Sequence, residues 1–174
     1  MGTALVAACQ LALSRYNQTP KLEVEWIFNG RDEKWKEDLI GMTLCGIPSA
    51  MDFSKFTTNS AILEESRKQN ELGLKYARYS YALSDMSPGK NECMKLVYEH
   101  GIETSSGFPN GGKIENIVEE FTGMLCLYQL IVIENSDDEP LIFVATYQGT
   151  RYWEENAKKM LELFQNALDE LLLS

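Results

Sequence analysis

The stretch NGRDEKWKEDLIGMTLCGIP, residues 29–48, decides how the rest of the chain can be interpreted. Its Asn29-Gly30 pair is a turn signal that follows directly on a strand-like run, and a charged loop, residues 31–38, comes next. The apolar run Leu39–Ile47 contains two glycines, ends at Pro48 and predicts a strand. Glycines inside a strand mark either a kink or a close approach of the backbone to a ligand or another element. Spacing alone leaves both interpretations open.

A helix and a strand are predicted before this stretch, and a second helix after it. The broad apolar surface of Thr3–Tyr16 predicts a helix that is covered on more than one side. Alternation over Leu22–Phe28 predicts a half-buried strand. Residues 51–58 are predicted to be a connection, and a helix is predicted from Asn59 or Ser60 to about Tyr81. The residues spaced to share the turns of this helix are Ala61, Ile62, Glu65, Gln69, Leu72, Tyr76 and Tyr79.

The middle of the chain is less regular. Residues 92–98, ECMKLVY, predict a short strand. Residues 104–112, TSSGFPNGG, predict a loop, because glycine and proline interrupt regular structure there. The segment 114–122 fits neither a helix nor a strand clearly and is left unassigned.

The last third of the chain predicts an antiparallel strand pair followed by a helix. Gly123–Glu134 is nearly continuous in apolar character, which is typical of a strand in the interior of a sheet. The turn 135–140, NSDDEP, leads into a returning strand over Leu141–Tyr147. A helix is predicted over Tyr152–Leu173. Its apolar stripe consists of Ala157, Met160, Leu161, Phe164, Leu168 and Leu171.

Length and charge limit the classes of protein and partner. A chain of 174 residues predicts a single domain, residues 1–174. The net charge of −10 argues against nucleic acid, an anionic membrane surface or a polyphosphate as the main partner, since each would be repelled. No apolar run reaches the length of about 18 residues that a membrane-spanning helix needs. The first residues also lack the basic region of a secretory signal.

The four cysteines do not predict a metal site. Cys9, Cys45, Cys93 and Cys126 are far apart in apolar surroundings, and His100 is the single histidine. Structural zinc sites use clustered cysteine and histidine ligands, so none is expected. The acidic run at residues 137–139 is expected to be a solvated turn rather than a calcium site. Buried free thiols in a reducing cytoplasm fit the cysteines better than disulfides do.

Several stretches resemble the C-terminal lobe of a condensation domain from non-ribosomal peptide synthetases, a family of the chloramphenicol-acetyltransferase-like superfamily. ALVAACQLALSRYN, residues 4–17, is similar to the family's helix phrase A-x-x-L-x-R-Y, and Gly30-Arg31 matches its G-R turn. IGMTLCGIP, residues 40–48, resembles its I-G-x-F-V-N-T-x-P strand, and residues 145–172 follow the cadence of its closing helix. The resemblance implies an α/β fold, in which a mixed sheet with flanking helices forms one lobe of an acetyltransferase-like structure.

The resemblance also implies a function. Condensation domains form an amide when an acceptor amine attacks a thioester on a carrier protein, and their H-H-x-x-x-D-G signature lies in the N-terminal lobe. This chain contains no such motif, and His100 is expected to be a surface or loop-edge residue, so we predict no catalytic residue here. The implied partners are the N-terminal lobe of the same domain and peptidyl or acyl carrier proteins. No cofactor is expected to bind directly, apart from the phosphopantetheine arm of those carriers.

Four residues are candidates for the wall of the substrate tunnel: Arg31, Gly41, Cys45 and Gly46. Arg31 and Gly41 match the family pattern, although Arg31 could equally form an ion pair with a neighbouring acid. Cys45 and Gly46 stand where the family has asparagine and threonine, and Ala50 stands at its arginine position. These differences remove hydrogen-bonding groups, so either the substrate differs or the activity is lost.

Two other functions remain open. The family phrase H-Q-D-x-P-F-E is absent after the second predicted helix, which favours a non-catalytic interaction module that docks carrier proteins or regulates a synthetase. The other is a small acyltransferase subunit that pairs with a second copy across the exposed lobe face. A lobe without its partner would expose an apolar surface there, so a homodimer of the isolated chain is predicted. Arrangements of serine or cysteine with histidine, and glycine-rich phosphate loops, do not occur in recognisable form.

Overall fold

The structure, a computed structural model, describes residues 2–30, 34, 40, 43–83, 94–100, 128–134, 140–149 and 153–173. Its helices are α1 (Gly2–Asn17), α2 (Asn59–Leu83) and α3 (Glu154–Leu172), and a short 3-10 turn spans Phe53–Lys55. Its strands are β1 (Lys21–Phe28), β2 (Cys45–Asp52), β3 (Met94–His100), β4 (Tyr128–Glu134) and β5 (Ile142–Tyr147). The predicted loop 104–112, the unassigned segment 114–122 and most of the predicted turn 135–140 lie outside the described residues.

The described strands form one mixed sheet in the order β2-β1-β3-β4-β5. The strands β1, β3 and β4 are parallel to one another, and β2 and β5 run antiparallel at the two edges. This arrangement confirms the predicted α/β fold with a mixed sheet. It also confirms the antiparallel pairing of the last two strands and the interior position of β4.

Strand register divides the sheet into two faces. The aligned residues Trp26, Leu96 and Leu130 lie on the face that packs against the helices, which we call the helix face. Helices α1 and α3 contact this face. Cys9 Sγ of α1 lies 3.6 Å from Met94 Sδ of β3, and the ring of Phe164 of α3 packs against that of Phe143 of β5. On the opposite face, which we call the back face, a row of β-branched residues crosses four strands: Ile27, Val97, Ile131 and Val144.

Helix α1 is buried on several sides, as its broad apolar surface predicts. Every side chain from Ala4 to Ala12 is buried, because α1 packs against α2 and α3 as well as the sheet. The helix ends with Gln18 in the left-handed conformation (φ 52°). The Thr19 amide donates to the Ser14 carbonyl at 3.1 Å, which is the bond that closes this type of helix end.

The predicted boundaries of the glycine-containing strand are wrong. Thr43 and Leu44 lie outside regular structure, and β2 begins at Cys45 and continues past Pro48 to Asp52. The proline is tolerated because β2 is an edge strand. The Ala50 amide donates outward, to Gln69 of α2, so the nitrogen of Pro48, two residues earlier, also points away from β1. Proline therefore removes no hydrogen bond from the β1–β2 ladder.

The helix predicted from residue 59 or 60 to about residue 81 is confirmed as α2, but only part of its helically spaced set is buried. Leu72, Tyr76 and Tyr79 are exposed, whereas the α2 side chains that the structure describes as buried are Ile62, Ser66, Asn70 and Ala77. The cause is the close approach of α2 to β2. A Cβ atom at Gly73 would lie 2.3 Å from Ile47 Cγ2, so small and polar residues form the packed side and the large apolar ones point to solvent.

Helix α3 packs through the stripe that its sequence predicts. The residues Ala157, Met160, Phe164, Leu168 and Leu171 are buried, and Leu161 is partly buried against the same core. Such a stripe, rather than helix propensity, supplies most of the stability of a helix in a globular protein. Within the described ranges, no helix is long and apolar enough to cross a bilayer.

Candidate functional site

The parallel strands end together at one side of the sheet, which we call the carboxyl edge. The strand β1 ends at Phe28, β3 at His100 and β4 at Glu134, while the antiparallel β2 begins there because Phe28 pairs with Cys45. In open α/β sheets, ligand sites form beyond the carboxyl ends of the strands. The predicted tunnel candidates that the structure describes, Cys45 and Gly46, lie at this carboxyl edge.

The residues on either side of the segment 31–42 are held together at this edge. The Thr43 hydroxyl donates to the Asn29 carbonyl at 2.7 Å. Gly30 has φ 70°, and a Cβ atom there would lie 2.0 Å from the carbonyl oxygen of Thr43. Glycine is needed at this turn for both reasons. The turn predicted from Asn29-Gly30 thus brings β1 and the start of β2 into register.

The two predicted tunnel candidates that the structure describes, Cys45 and Gly46, lie on opposite faces of the sheet. Arg31 and Gly41 lie outside the described residues. Cys45 pairs with Phe28 on the helix face, and its half-buried thiol lies 3.5 Å from the Thr43 carbonyl oxygen. Gly46 pairs with Ile27 on the back face. Successive residues of a strand face opposite sides of a sheet, so Cys45 and Gly46 cannot line the same wall.

Gly46 leaves room for an ion pair on the back face. A Cβ atom at Gly46 would lie 1.6 Å from Glu25 Oε1, so the Glu25 carboxylate occupies the space above this glycine. Glu25 also forms an ion pair with Lys95 of β3, with 3.3 Å between oxygen and nitrogen, and both side chains are about one-fifth exposed. The absence of a side chain at position 46 thus has a local packing reason that the sequence alone did not reveal.

A hydrogen bond at the carboxyl edge was missed by the sequence analysis. The Tyr98 hydroxyl donates to a carboxylate oxygen of Glu134, on the helix face. The Cα partner of Glu134 across the ladder is His100, the last residue of β3. Only the register of β3 against β4 brings these positions together, and no spacing within either strand could have predicted it.

A second polar cluster fixes β2 to the helices. The Gln10 amide donates to the Ser49 carbonyl at 2.9 Å and to its hydroxyl at 3.1 Å. The Ser49 hydroxyl donates to Gln69 Oε1 at 3.2 Å, and this oxygen also accepts the Ala50 amide. The buried Gln10 Oε1 has no hydrogen-bond partner among the residues that the structure describes. These contacts join α1 and α2 to an edge strand that would otherwise have one unpaired side.

An open cleft of about 710 Å³ lies beside this cluster, at the opposite end of β2 from Cys45. It is lined by Lys21, Leu22, Glu23, Ala50, Met51, Asp52, Lys55, Phe56, Glu65 and Gln69. The Asp52 carboxylate lies 3.9 Å from the Lys21 ammonium and 4.0 Å from that of Lys55. Its hydrogen bonds from Ser54 lower the pKa of Asp52. Both lysines are mostly exposed, so the cleft is a solvated groove whose ion pairs are screened by water.

The described residues contain no group of three histidine, cysteine or acidic side chains that could hold a metal ion. Cys9 and Cys45 are free thiols. Burial raises the pKa of the Cys9 thiol from 9.0 to about 12, so Cys9 remains a protonated core residue at neutral pH. Cys9 therefore packs like a small hydrophobic residue and cannot act as a nucleophile.

The Cys9 thiol should make stability depend on pH in the alkaline range. It stays protonated in the folded protein but ionises in the unfolded chain above its ordinary pKa of 9.0, so stability falls as pH rises from 9 towards 12. Between pH 8 and pH 10 we expect the wild type to lose about 1–2 kcal/mol more than Cys9→Ala does. Urea unfolding of both proteins at the two pH values measures this difference. Equal losses would show that Cys9 titrates normally.

The fold was compared with those of known proteins. No protein-family model matches the sequence, and no curated protein sequence matches it either. Solved structures do match. The condensation domain from monacolin K polyketide synthase aligns with a TM-score of 0.75 and 14% identity, over 99% of this chain and 41% of that one. The chain has the fold of a condensation-domain lobe.

Two further structures give the same result for this condensation-domain lobe. The starter condensation domain of rhizomide synthetase aligns with a TM-score of 0.74 and 14% identity, over 99% of this chain and 42% of that one. The epimerization domain from the third module of tyrocidine synthetase B aligns with a TM-score of 0.71 and 15% identity, again over 99% and 42%. The chain therefore spans about two-fifths of the length of these solved chains, and at such identities the likeness concerns the fold.

Proposed function

We propose that this chain is the C-terminal lobe of a condensation-type domain of a non-ribosomal peptide synthetase. In this proposal the synthetase acts in the cytoplasm and takes part in the biosynthesis of a secondary metabolite. The observation that carries the proposal is the match of nearly the whole chain to about two-fifths of several condensation and epimerization domains. The order of helix, strand, Gly30-Arg31 turn and glycine-containing strand supports it independently, because this order was identified from the sequence.

In this proposal the lobe works together with a separate N-terminal lobe. This chain has a single histidine and no Asp-Gly after it. We therefore assign the histidine motif that handles the proton of the acceptor amine to the N-terminal lobe. The present lobe supplies a rigid wall of the tunnel that receives phosphopantetheine arms from peptidyl or acyl carrier proteins. Its role is to position substrates, which lowers the barrier by orientation rather than by proton transfer.

The carboxyl edge is the part of the lobe that we assign to the tunnel. Cys45 is the described candidate on the helix face, and its half-buried thiol offers an apolar surface where the family has an amide. Gly46, on the back face, is assigned to support: it accommodates the Glu25–Lys95 ion pair. Arg31 and Gly41 retain their proposed tunnel roles through the resemblance to the family alone.

Reconstitution tests this function. The chain is incubated with donor and acceptor carrier proteins loaded with their aminoacyl groups, with and without a separately produced cognate N-terminal lobe. We expect peptide product, detected by mass spectrometry of the carrier-bound thioesters, when both lobes are present and none with this chain alone. An N-terminal lobe whose second motif histidine is replaced by alanine is the matched control. Turnover by this chain alone would contradict the proposal.

A non-catalytic interaction module is the second candidate. The replacement of the family's asparagine, threonine and arginine by Cys45, Gly46 and Ala50 favours it, because three hydrogen-bonding groups are lost. The structure adds that the amide of Ala50 is already bonded to Gln69. An interaction module should bind loaded carrier proteins saturably but give no product, either alone or together with the N-terminal lobe. That result would support the interaction module rather than the enzyme fragment.

Self-association of the isolated chain is the remaining proposal about its partners. A lobe that lacks its partner exposes apolar surface, and such surface is usually buried in an assembly. We therefore expect a homodimer when the chain is produced alone.

A further inference from the structure

The cleft beside β2 has the size and part of the lining of a small-molecule site. Its volume of about 710 Å³ falls within the range of roughly 300–1,000 Å³ that such sites occupy. Its apolar lining consists of Leu22, Met51 and Phe56. Met51 is buried, and Leu22 and Phe56 pack against the hydrophobic core, so the fold holds this lining in place. The cleft therefore offers a fixed apolar surface to a ligand with an aliphatic part.

A chain of hydrogen bonds from the core positions the Glu65 carboxylate on the wall of this cleft. The buried Gln10 amide donates to the Ser49 hydroxyl at 3.1 Å, and Ser49 donates to Gln69 Oε1 at 3.2 Å. The Gln69 amide nitrogen then donates to Glu65 Oε1 at 3.1 Å. Every donor points towards Glu65, so each bond polarises the next, and the chain ends on a negative charge.

The charges that line the cleft are not balanced. Three carboxylates, those of Glu23, Asp52 and Glu65, share the lining with Lys21 and Lys55. Both lysines lie beside Asp52, at 3.9 and 4.0 Å between nitrogen and oxygen. Among the described residues, neither Glu23 nor Glu65 forms an ion pair. The cleft thus combines an apolar surface with two carboxylates that lack a cation.

We propose that this cleft binds an organic cation, an ammonium or guanidinium group carried on an aliphatic stem. The second carboxylate oxygen of Glu65 would accept a charge-assisted hydrogen bond from the cation, and the Phe56 ring adds a cation–π contact. The stem would lie along Leu22 and Met51, out of water. Free amines and the basic side chains of peptides share this chemistry.

Other classes of ligand fit the cleft less well. An anion would meet three carboxylates on a chain whose net charge is −10, and the two lysines already lie beside Asp52. A metal ion is disfavoured because the described residues contain no group of three suitable side chains. The inference does not depend on the proposed function, since the cleft lies at the opposite end of β2 from the carboxyl edge.

Titration of the isotope-labelled full chain with the diamine cadaverine, followed by NMR, tests the proposal. We expect a dissociation constant on the order of 1 mM that rises with salt concentration, because the cleft is open to water. The amide resonance of Ala50 should shift, because this amide donates to Gln69, which bonds Glu65. Pentanediol, a neutral molecule of the same chain length, is the matched ligand and should leave this resonance unchanged.

Two substitutions of neighbouring carboxylates locate the cation. Glu65→Gln should raise the dissociation constant for cadaverine at least ~10-fold, because the charge-assisted hydrogen bond is lost. Glu64→Gln removes the same charge from the next residue of α2, which pairs with Arg67 and does not line the cleft. This control should change the constant by less than about 2-fold, through the loss of net charge alone. Circular dichroism verifies that both variants fold.

A lysine-containing tripeptide, with norleucine in place of lysine as its control, distinguishes the two sources of the cation. Tighter binding of the peptide would assign the cleft to a basic peptide partner, and tighter binding of cadaverine would assign it to a free amine. Three results would each overturn the proposal: no shift of Ala50 with either cation, equal shifts with cadaverine and pentanediol, or equal affinities of the Glu65 and Glu64 variants.

Discussion

Replacing Phe164 by alanine is expected to lower the free energy of unfolding by about 3–5 kcal/mol. Phe164 lies in the middle of α3 and is fully buried in the core. Its ring meets that of Phe143 of β5 edge-to-face, with 5.4 Å between centroids and 70° between planes. The substitution removes the largest side chain that is fully buried among the described residues, and it leaves a cavity where the helix and the sheet meet.

Urea unfolding with the midpoint and slope measured together gives this energy. The matched control is Leu172→Ala, in the same helix at a residue 53% exposed, which should change stability by less than about 0.5 kcal/mol. Alanine is a better helix former than either residue, so propensity cannot cause the loss. A cost below about 1 kcal/mol for Phe164→Ala would mean that α3 does not pack on the helix face as described.

Replacing Gly30 by alanine is expected to cost about 2–4 kcal/mol of stability. Part of the loss arises because Gly30 has φ 70°, a conformation that is unfavourable for residues with a Cβ atom. The rest arises because that atom would lie 2.0 Å from the Thr43 carbonyl oxygen, which is backbone and cannot move aside as a side chain would. The connection between β1 and β2 would have to open.

Gly149→Ala is the control for this substitution. No atom lies within 4 Å of a Cβ placed at Gly149, and its φ is not in the left-handed region. We therefore expect it to leave stability unchanged or slightly higher, because alanine restricts the unfolded chain. Thermal unfolding of both variants compares them directly. Equal melting temperatures would show that the Gly30 turn is not constrained by Thr43.

Elements that depend on local sequence patterns were predicted correctly. Predictions were wrong where contact with a neighbouring element determines the structure. The helices α1 and α3 and the strand β1 agree with prediction within two residues, because their periodicity reflects the face that each one buries. The end of β2 was predicted wrongly because Pro48 was taken to end the strand. Proline interrupts an interior strand but is tolerated in an edge strand, and the position of a strand in its sheet cannot be read from its own sequence. The exposure of Leu72 and Tyr76 on α2 does not follow from their spacing, because the close approach of Gly73 to Ile47 decides which side of the helix packs.

The candidate site shows the same limit. A motif predicted Cys45 and Gly46 as neighbours in one wall, but β2 turns them to opposite faces of the sheet. The hydrogen bond between Tyr98 and Glu134 depends on the register of two parallel strands joined by a long connection. Such a register follows from tertiary packing and leaves no signal in the spacing of residues along either strand.

The central claim is that this chain is one of two lobes that work as a unit. The most direct measurement is calorimetric titration of the chain with the cognate N-terminal lobe, encoded in the same or an upstream reading frame and identified by its H-H-x-x-x-D-G motif. We expect saturable 1:1 binding with a negative heat-capacity change, because apolar surface is buried between the lobes. Two folded lobes that show no heat of binding at two temperatures, and that sediment independently when mixed, would contradict it.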